Sequence, residues 1–162
     1  IQYIADIQLK NHWFMADSLR LNQVLVNLLG NALKYSRPDG HVWLTVRETE
    51  EEKGFSNLYF QVRDDGIGIA PEKQQLIFRQ FEQADNSENA RKQGTGLGLA
   101  ISRRIVRMMD SDIKLESEPG KGSSFSFNVK LQPVSGEKTT VTSQPEEISF
   151  PGKRILVVED MS

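Results

Sequence analysis

Residues 20–36 read RLNQVLVNLLGNALKYS, and their apolar members recur at the spacing of one helix face. This pattern predicts an amphipathic helix packed on a core. Asn27 and Asn31 lie four positions apart, so both amides project from the same face, although Asn is a mediocre helix former. A solvated polar face would explain an isolated pair, so a functional role depends on the rest of the chain. The apolar positions are Leu21, Val24, Leu25, Leu28, Leu29 and Ala32.

The composition bounds the class of protein. The chain has 162 residues, of which 38% are hydrophobic and 26% charged, so one domain with a core is expected. A net charge of −2 gives no support for a nucleic-acid partner, and the lack of cysteine excludes disulfides and thiol chemistry. No membrane span or signal peptide is recognisable, so we expect a cytoplasmic setting. This expectation leaves open an inner-membrane anchor elsewhere in the parent protein. The chain opens without methionine, and we expect a fragment.

The remaining elements predict an α+β fold. Short alternating runs indicate strands at 2–8, 42–46, 58–62, 113–115 and 125–131, with the turn EPGKG between the last two. Helices are expected from about Ser18 to the turn RPDG, from Pro71 to about Phe81, and over 97–109. Residues 82–95 are polar and are expected to form a loop. The elements do not alternate regularly, which favours a two-layer sandwich with helices on one face of a mixed, largely antiparallel sheet.

The last thirty residues have a different composition. Residues 133–152, PVSGEKTTVTSQPEEISFPG, are rich in Pro, Ser, Thr and Glu, which is typical of a linker. Residues 153–160, KRILVVED, are typical of a buried parallel strand that ends in carboxylates, here Glu159 and Asp160. We therefore expect a domain over 1–132, a linker over 133–152 and the start of a second domain over 153–162.

Two glycine segments suggest nucleotide chemistry. DDGIGIAP, residues 64–71, follows a predicted strand, and GTGLGLA, residues 94–100, precedes a predicted helix. Each segment alone is weak, because glycine clusters mark turns more often than nucleotide sites. The second has the spacing GxGxG and follows a polar loop, which argues against a dinucleotide-binding fold. A P-loop, a hydrolase nucleophile elbow and an HExxH zinc motif are absent from the sequence.

Taken together, the motifs resemble those of a known family. RLNQVLVNLLGNALKYS, DDGIGIAPEKQQLIFRQF and GTGLGLAISRRIV are similar, in order and spacing, to the ATP-binding catalytic domain of sensor histidine kinases. That domain belongs to the GHKL superfamily, which includes gyrase, a heat-shock chaperone and mismatch-repair ATPases. The resemblance covers about residues 2–131 and implies a Bergerat-type ATP-binding fold.

The resemblance also implies roles for individual residues. Asp64 would accept a hydrogen bond from the adenine amino group, and Asn31 would bind Mg²⁺ through its amide oxygen. Lys34 would reach a phosphate, and Tyr35 would lie along the ribose or the phosphates. Phe78 and Phe81 would anchor a lid between the glycine segments. The expected nucleotide-binding residues are Asn31, Lys34, Tyr35, Asp64, Gly66, Gly68, Ile69, Phe81, Gly94, Thr95, Gly96, Leu97, Gly98 and Leu99, and the expected catalytic residues are Asn27, Asn31 and Lys34.

Asn27 separates two possible activities. In the ATPases of the superfamily, the corresponding position is typically a glutamate that activates water, whereas an amide cannot act as a general base. This favours transfer of the γ-phosphoryl group to a histidine over hydrolysis. An ATPase or serine kinase of the same superfamily, and a degenerate nucleotide-binding module, stay open as alternatives.

The histidine that would accept the phosphoryl group is missing from this sequence. His12 and His41 both lack the acidic neighbour typical of the family's acceptor helix, so we expect structural roles for them. The expected partners are a histidine-bearing dimerisation domain and a receiver domain. The segment KRILVVED resembles the first strand of such a receiver domain. The parent protein is expected to be a homodimeric hybrid sensor kinase.

Overall fold

The computed structural model describes residues 1–11, 13–50, 54–79 and 96–134. Its strands are β1 (Gln2–Gln8), β2 (Phe14–Met15), β3 (His41–Glu50), β4 (Ser56–Asp64), β5 (Lys114–Glu118) and β6 (Gly122–Pro133). Its helices are α1 (Ser18–Tyr35), α2 (Pro71–Gln74) and α3 (Gly98–Met108), with a 3₁₀ turn over Leu76–Phe78.

The strands form one mixed sheet in the order β1-β3-β4-β6-β2, and β5 also pairs with β6. The β1–β3 pair is parallel, and the other pairs are antiparallel. Alternate residues of β4 and β6 are buried, so one face of the sheet is covered. This architecture confirms the predicted α+β sandwich.

The core lies between that face and the helices. Val24 and Leu28 of α1, and Val106 of α3, are fully buried and pack against the sheet. Phe60 and Phe127 stack in the middle, with ring centroids 5.1 Å apart. The amphipathic pattern of residues 20–36 thus places α1 with its apolar side on the sheet and its two asparagines to one side of that contact.

The structure differs from the sequence-based prediction at two elements. The helix expected over 71–81 ends at Gln74 and continues as a 3₁₀ turn, because Ile77 is buried in the core and Phe78 packs edge-on against Phe125. The two-residue strand β2 was not predicted, because so short a segment has no measurable alternation. Neither difference changes the predicted layers.

Candidate nucleotide-binding site

Two glycine segments meet the C-terminal half of α1, one on each side. The backbone N–H of Ile67 donates to the carbonyl oxygen of Tyr35 over 3.2 Å, and a Cβ on Gly66 would overlap the same oxygen. On the other side, a Cβ on Gly98 would overlap the amide oxygen of Asn27. The fold therefore brings together three segments that are separate in the sequence.

Asp64, at the end of β4, is a buried carboxylate that accepts hydrogen bonds from the described residues on only one of its two oxygens. Its side chain is 5% exposed, and Oδ1 accepts from the backbone N–H of Gly66 at 2.9 Å and of Ser123 at 3.3 Å. Within residues 1–11, 13–50, 54–79 and 96–134, no group donates to Oδ2. Burial raises the pKa of Asp64, against the lowering effect of the two amides, and Asp65 adds to the rise. Oδ2 is thus an acceptor that a ligand can use.

The loop after Asp64 is held by backbone contacts on both sides. Gly68 has a φ of +69°, and a Cβ there would overlap the carbonyl oxygen of Glu118. Gly122 has a φ of +95°, and a Cβ there would likewise overlap the carbonyl oxygen of Asp64. The Ile69 N–H donates to Ser117 Oγ at 2.8 Å. Gly66 and Gly68 are therefore required by protein packing, in addition to the nucleotide-binding role that the resemblance implies for them.

A second aspartate fixes the start of this loop. Asp65 accepts from the backbone N–H of His41 at 2.8 Å, and its other oxygen lies 2.9 Å from His41 Nδ1. These hydrogen bonds hold the pKa of Asp65 below its ordinary value. His41 opens β3 and supports the loop, which agrees with the structural role predicted for it. His12 lies outside the described residues.

The last two turns of α1 carry the expected phosphate and metal ligands. Asn31 is partly buried, and its amide has no hydrogen-bond partner in the described part of the chain. The ammonium of Lys34 lies 4.8 Å from the centroid of the Tyr35 ring. The described residues contain no group of three or more His, Cys, Asp or Glu side chains that could hold a metal. An ion at this site would therefore depend on the Asn31 amide together with oxygens of the nucleotide and water, a donor set that suits Mg²⁺.

The N-terminus of α3 has no side-chain cap. Leu97 occupies the N-cap position and offers no side-chain acceptor, and Gly96 before it has a φ of +67°. In α1, by contrast, Asp17 Oδ1 accepts from the Arg20 N–H at 3.0 Å. The N–H groups of the first turn of α3, which includes Gly98 and Leu99, are therefore available to an anion.

Asn27 contacts a residue that sequence reasoning missed. Its Nδ2 donates to Ser102 Oγ over 2.9 Å. Ser102 lies on the same face of α3 as Gly98, one turn further along, and is 1% exposed. The sequence held one indication of this contact: Ser102 is a polar residue on the face of a helix that was predicted to be buried.

Three predicted site residues cannot be placed. Phe81, Gly94 and Thr95 lie in residues 80–95, outside the described part of the chain, as does most of the expected lid. Phe78, just before it, packs against Phe125 and lies beneath the guanidinium of Arg103, which is 4.7 Å from its ring centroid.

A family model described as histidine kinase-, DNA gyrase B- and HSP90-like ATPase matches residues 16–133. The chain belongs to this ATPase family. The match includes α1, the loop after Asp64 and α3, which are the three segments that the fold brings together. ATP binding and a histidine kinase relationship follow for the chain at the level of the family.

Curated relatives of this ATPase domain are sensor kinases. The circadian input-output histidine kinase CikA of Synechococcus elongatus is 38% identical over 99% of this chain and 20% of its own length. The signal transduction histidine-protein kinase BarA of Escherichia coli K12 is 36% identical, over 91% of this chain and 16% of its own length. The sensor histidine kinase AruS of Pseudomonas aeruginosa is 40% identical over 88% of this chain and 14% of its own length. The chain thus spans a fifth or less of these relatives.

Solved structures agree with the fold of the ATPase domain. Full-length ShkA in complex with AMPPNP superposes with a TM-score of 0.67 and 30% identity, over 83% of this chain and 26% of that one. The nucleotide-free catalytic domain of the histidine kinase ThkA gives a TM-score of 0.66 and 26% identity, over 82% of this chain and 80% of that one. Among the described residues, no helix combines the length and apolar character that crossing a membrane requires.

Proposed function

We propose that this domain binds Mg²⁺-ATP between α1, the loop over 64–69 and the N-terminus of α3, and donates the γ-phosphoryl group to a histidine of a separate dimerisation domain. The observation that carries the proposal is the meeting of both glycine segments on α1, with the unused oxygen of Asp64 beside one of them. Family membership and the AMPPNP complex of ShkA support it.

Asp64 would recognise the adenine ring. Its Oδ1 is held by two backbone amides, so Oδ2 is fixed in position and can accept from an exocyclic amino group. Ile69, the last residue of the 64–69 loop, is partly buried and packs on the core, and it would contact the apolar face of the base. Gly66 and Gly68 would form the backbone wall next to it.

The polyphosphate would extend from there toward α3. The uncapped first turn of that helix, which includes Gly98 and Leu99 and follows Gly96, offers backbone N–H groups and the positive end of the helix dipole. Asn31 would hold Mg²⁺, which supplies charge neutralisation for the phosphates. Lys34 would contact a phosphate and Tyr35 the ribose.

Asn27 favours transfer over hydrolysis. Its amide donates to Ser102 and has no basic group that could deprotonate water. The reaction would form a bond between phosphorus and an imidazole nitrogen and release ADP, which requires an acceptor in line with the γ-phosphate. The same proposal includes the acceptor domain and a receiver domain that would begin at residue 153, after the linker over 133–152. It also includes a homodimeric parent protein with a cytoplasmic location.

Calorimetric titration with Mg²⁺-ATP tests the binding site. In Asp64→Asn, a donor replaces Oδ2 and faces the adenine amino group, which lowers the affinity about 30- to 100-fold. Asp110→Asn, at the opposite end of α3, is the matched control and changes the affinity less than about twofold. Equal affinities of the Asp64→Asn and wild-type chains would overturn the adenine assignment.

Radiolabel transfer from γ-labelled ATP tests the reaction. The chain alone acquires no acid-labile label, and a purified histidine-bearing dimerisation domain from a related kinase becomes labelled when mixed with it. Transfer is slow, because the tether that raises the effective concentration is absent. Asn31→Ala abolishes Mg²⁺-dependent transfer and retains part of the nucleotide affinity. Release of inorganic phosphate without labelling would instead indicate an ATPase.

A further inference from the structure

The contact between α1 and α3 at Asn27 links two parts of the proposed site. Asn27 lies one turn before Asn31 on α1, and Ser102 lies one turn after Gly98 on α3. The hydrogen bond from Asn27 Nδ2 to Ser102 Oγ, at 2.9 Å, therefore joins α1 to α3 at a point one turn from the residue that would bind the metal and one turn from the residues that would bind the phosphates.

Packing fixes the geometry of this contact. Ser102 is 1% exposed, and the space beside the Gly98 Cα is filled by the Asn27 amide oxygen. Any change in the direction of the Asn27 side chain thus alters its contact with the first residue of α3. With Ser102 removed, the Asn27 amide loses its acceptor, and the side-chain hydrogen bond between α1 and α3 is lost.

The neutrality of Asn27 matters at this position. A carboxylate would place negative charge against Gly98, at the N-terminus of α3, and this charge would interact with the positive end of the helix dipole. It also lacks the N–H that Asn27 donates to Ser102. An amide satisfies Ser102 and leaves the positive end of α3 available.

We propose that Ser102 is a positioning residue for the triphosphate: through Asn27 it holds the N-terminus of α3 at the distance from Asn31 that binding of Mg²⁺-ATP requires. This deepens the proposed function and rests on it. Ser102 itself has no contact with the nucleotide, and its effect is restricted to the phosphate end of the site, since the Asp64 end is held by separate backbone contacts.

The test compares ATP with adenosine, which lacks phosphates. In Ser102→Ala, the affinity for Mg²⁺-ATP falls about tenfold, and the affinity for adenosine, followed by NMR titration, stays within about twofold of wild type. Ser102→Cys has an intermediate ATP affinity, because a sulfur atom is a weak acceptor. Ser111→Ala removes a hydroxyl at the opposite end of α3, where it accepts from the Asn128 N–H, and leaves both affinities unchanged.

The outcomes separate the two proposals. Wild-type chain that fails to bind ATP overturns the proposed function and this inference together. Wild-type binding with an unchanged ATP affinity in Ser102→Ala, or with equal losses for ATP and adenosine, overturns this inference alone. Because Ser102 acts only through Asn27, Asn27→Ala/Ser102→Ala must lose no more ATP affinity than Asn27→Ala alone, and additive losses would contradict the proposed coupling.

Discussion

Two buried carboxylates lie on the helix-covered face of the sheet, at opposite ends. They differ in how many of their oxygens accept hydrogen bonds from the protein. Asp64 pairs with Val42, and Glu48 pairs with Leu58 on the same two strands. Glu48, 8% exposed, accepts four hydrogen bonds, two on each oxygen, from the backbone of Lys10 and Asn11 and the side chains of Asn11 and Ser56. Asp64 accepts two hydrogen bonds from the described residues, and both are on Oδ1.

The pKa values of the two groups shift in opposite directions. Burial alone would raise the pKa of Glu48, but the hydrogen bonds from Asn11, Ser56 and Lys10 outweigh it and hold the pKa at about 2. Burial dominates at Asp64, and its pKa is raised. A carboxylate whose acceptor sites are filled by the protein stabilises the fold, whereas one with an unused buried oxygen is suited to bind a ligand.

The largest effect is expected from removing Glu48. In Glu48→Ala, the buried hydroxyl of Ser56 and the partly buried donors of Lys10 and Asn11 lose their acceptor, and the free energy of unfolding falls by about 3–4 kcal/mol. Urea denaturation measures the change. Glu116→Ala, an exposed glutamate on β5, is the control and stays within about 0.5 kcal/mol of wild type. A loss at Glu48 no larger than at Glu116 would remove the distinction between the two carboxylates.

The pH dependence of stability sharpens the comparison. The folded-state pKa of Glu48, about 2, lies below its ordinary value of 4.5, so its contribution is fully present above pH 4.5 and is lost as the pH falls toward 2. Over this interval the stability advantage of wild type over Glu48→Gln shrinks by about 2–3 kcal/mol. Denaturation at a series of pH values measures it, and an advantage independent of pH would contradict the assignment.

The smallest effect on stability is expected at Asp64. In Asp64→Asn, the amide oxygen still accepts from Gly66 and Ser123, so the free energy of unfolding changes by less than about 1 kcal/mol. The sign of the pH effect is opposite to that at Glu48. Because the folded-state pKa is raised, wild type loses stability relative to Asp64→Asn as the pH rises from the ordinary aspartate range through that pKa. Destabilisation comparable to Glu48→Ala would show that Asp64 is structural.

The same contrast explains which features were predictable from the sequence. The helix over 18–35, the layers of the fold and the position of Asp64 at a strand end follow from local periodicity and motif spacing. The role of Glu48 does not, because its donors Lys10 and Asn11 lie 38 and 37 residues away in the sequence. One indication was available: Glu48 continues the inward-facing alternation of Val42 and Val46, where an acidic residue needs partners.

Asn27 and Asn31 show a similar limit. Their spacing correctly predicts a shared helix face, but the partner of Asn27 is 75 residues away, so its contact with Ser102 depends on how α3 packs. Gly66 and Gly68 were expected from the sequence only as nucleotide-binding residues, since their packing against Tyr35 and Glu118 is tertiary and could not be predicted. The assignments of ligand-binding roles to these residues stay predictions.

The most direct test of the account is a titration of the ¹⁵N-labelled chain with Mg²⁺-ATP, followed through the backbone amide resonances. We expect saturable shifts that are concentrated in residues 64–69 and 96–100 and in the last two turns of α1, with the amides of Lys10, Asn11 and Ser56 around Glu48 unchanged. A cavity of about 500 Å³ lies at the other end of α1 and α3, beside Asp17 and Asp110. Shifts confined to that cavity, or no saturable shifts at all, would contradict the account.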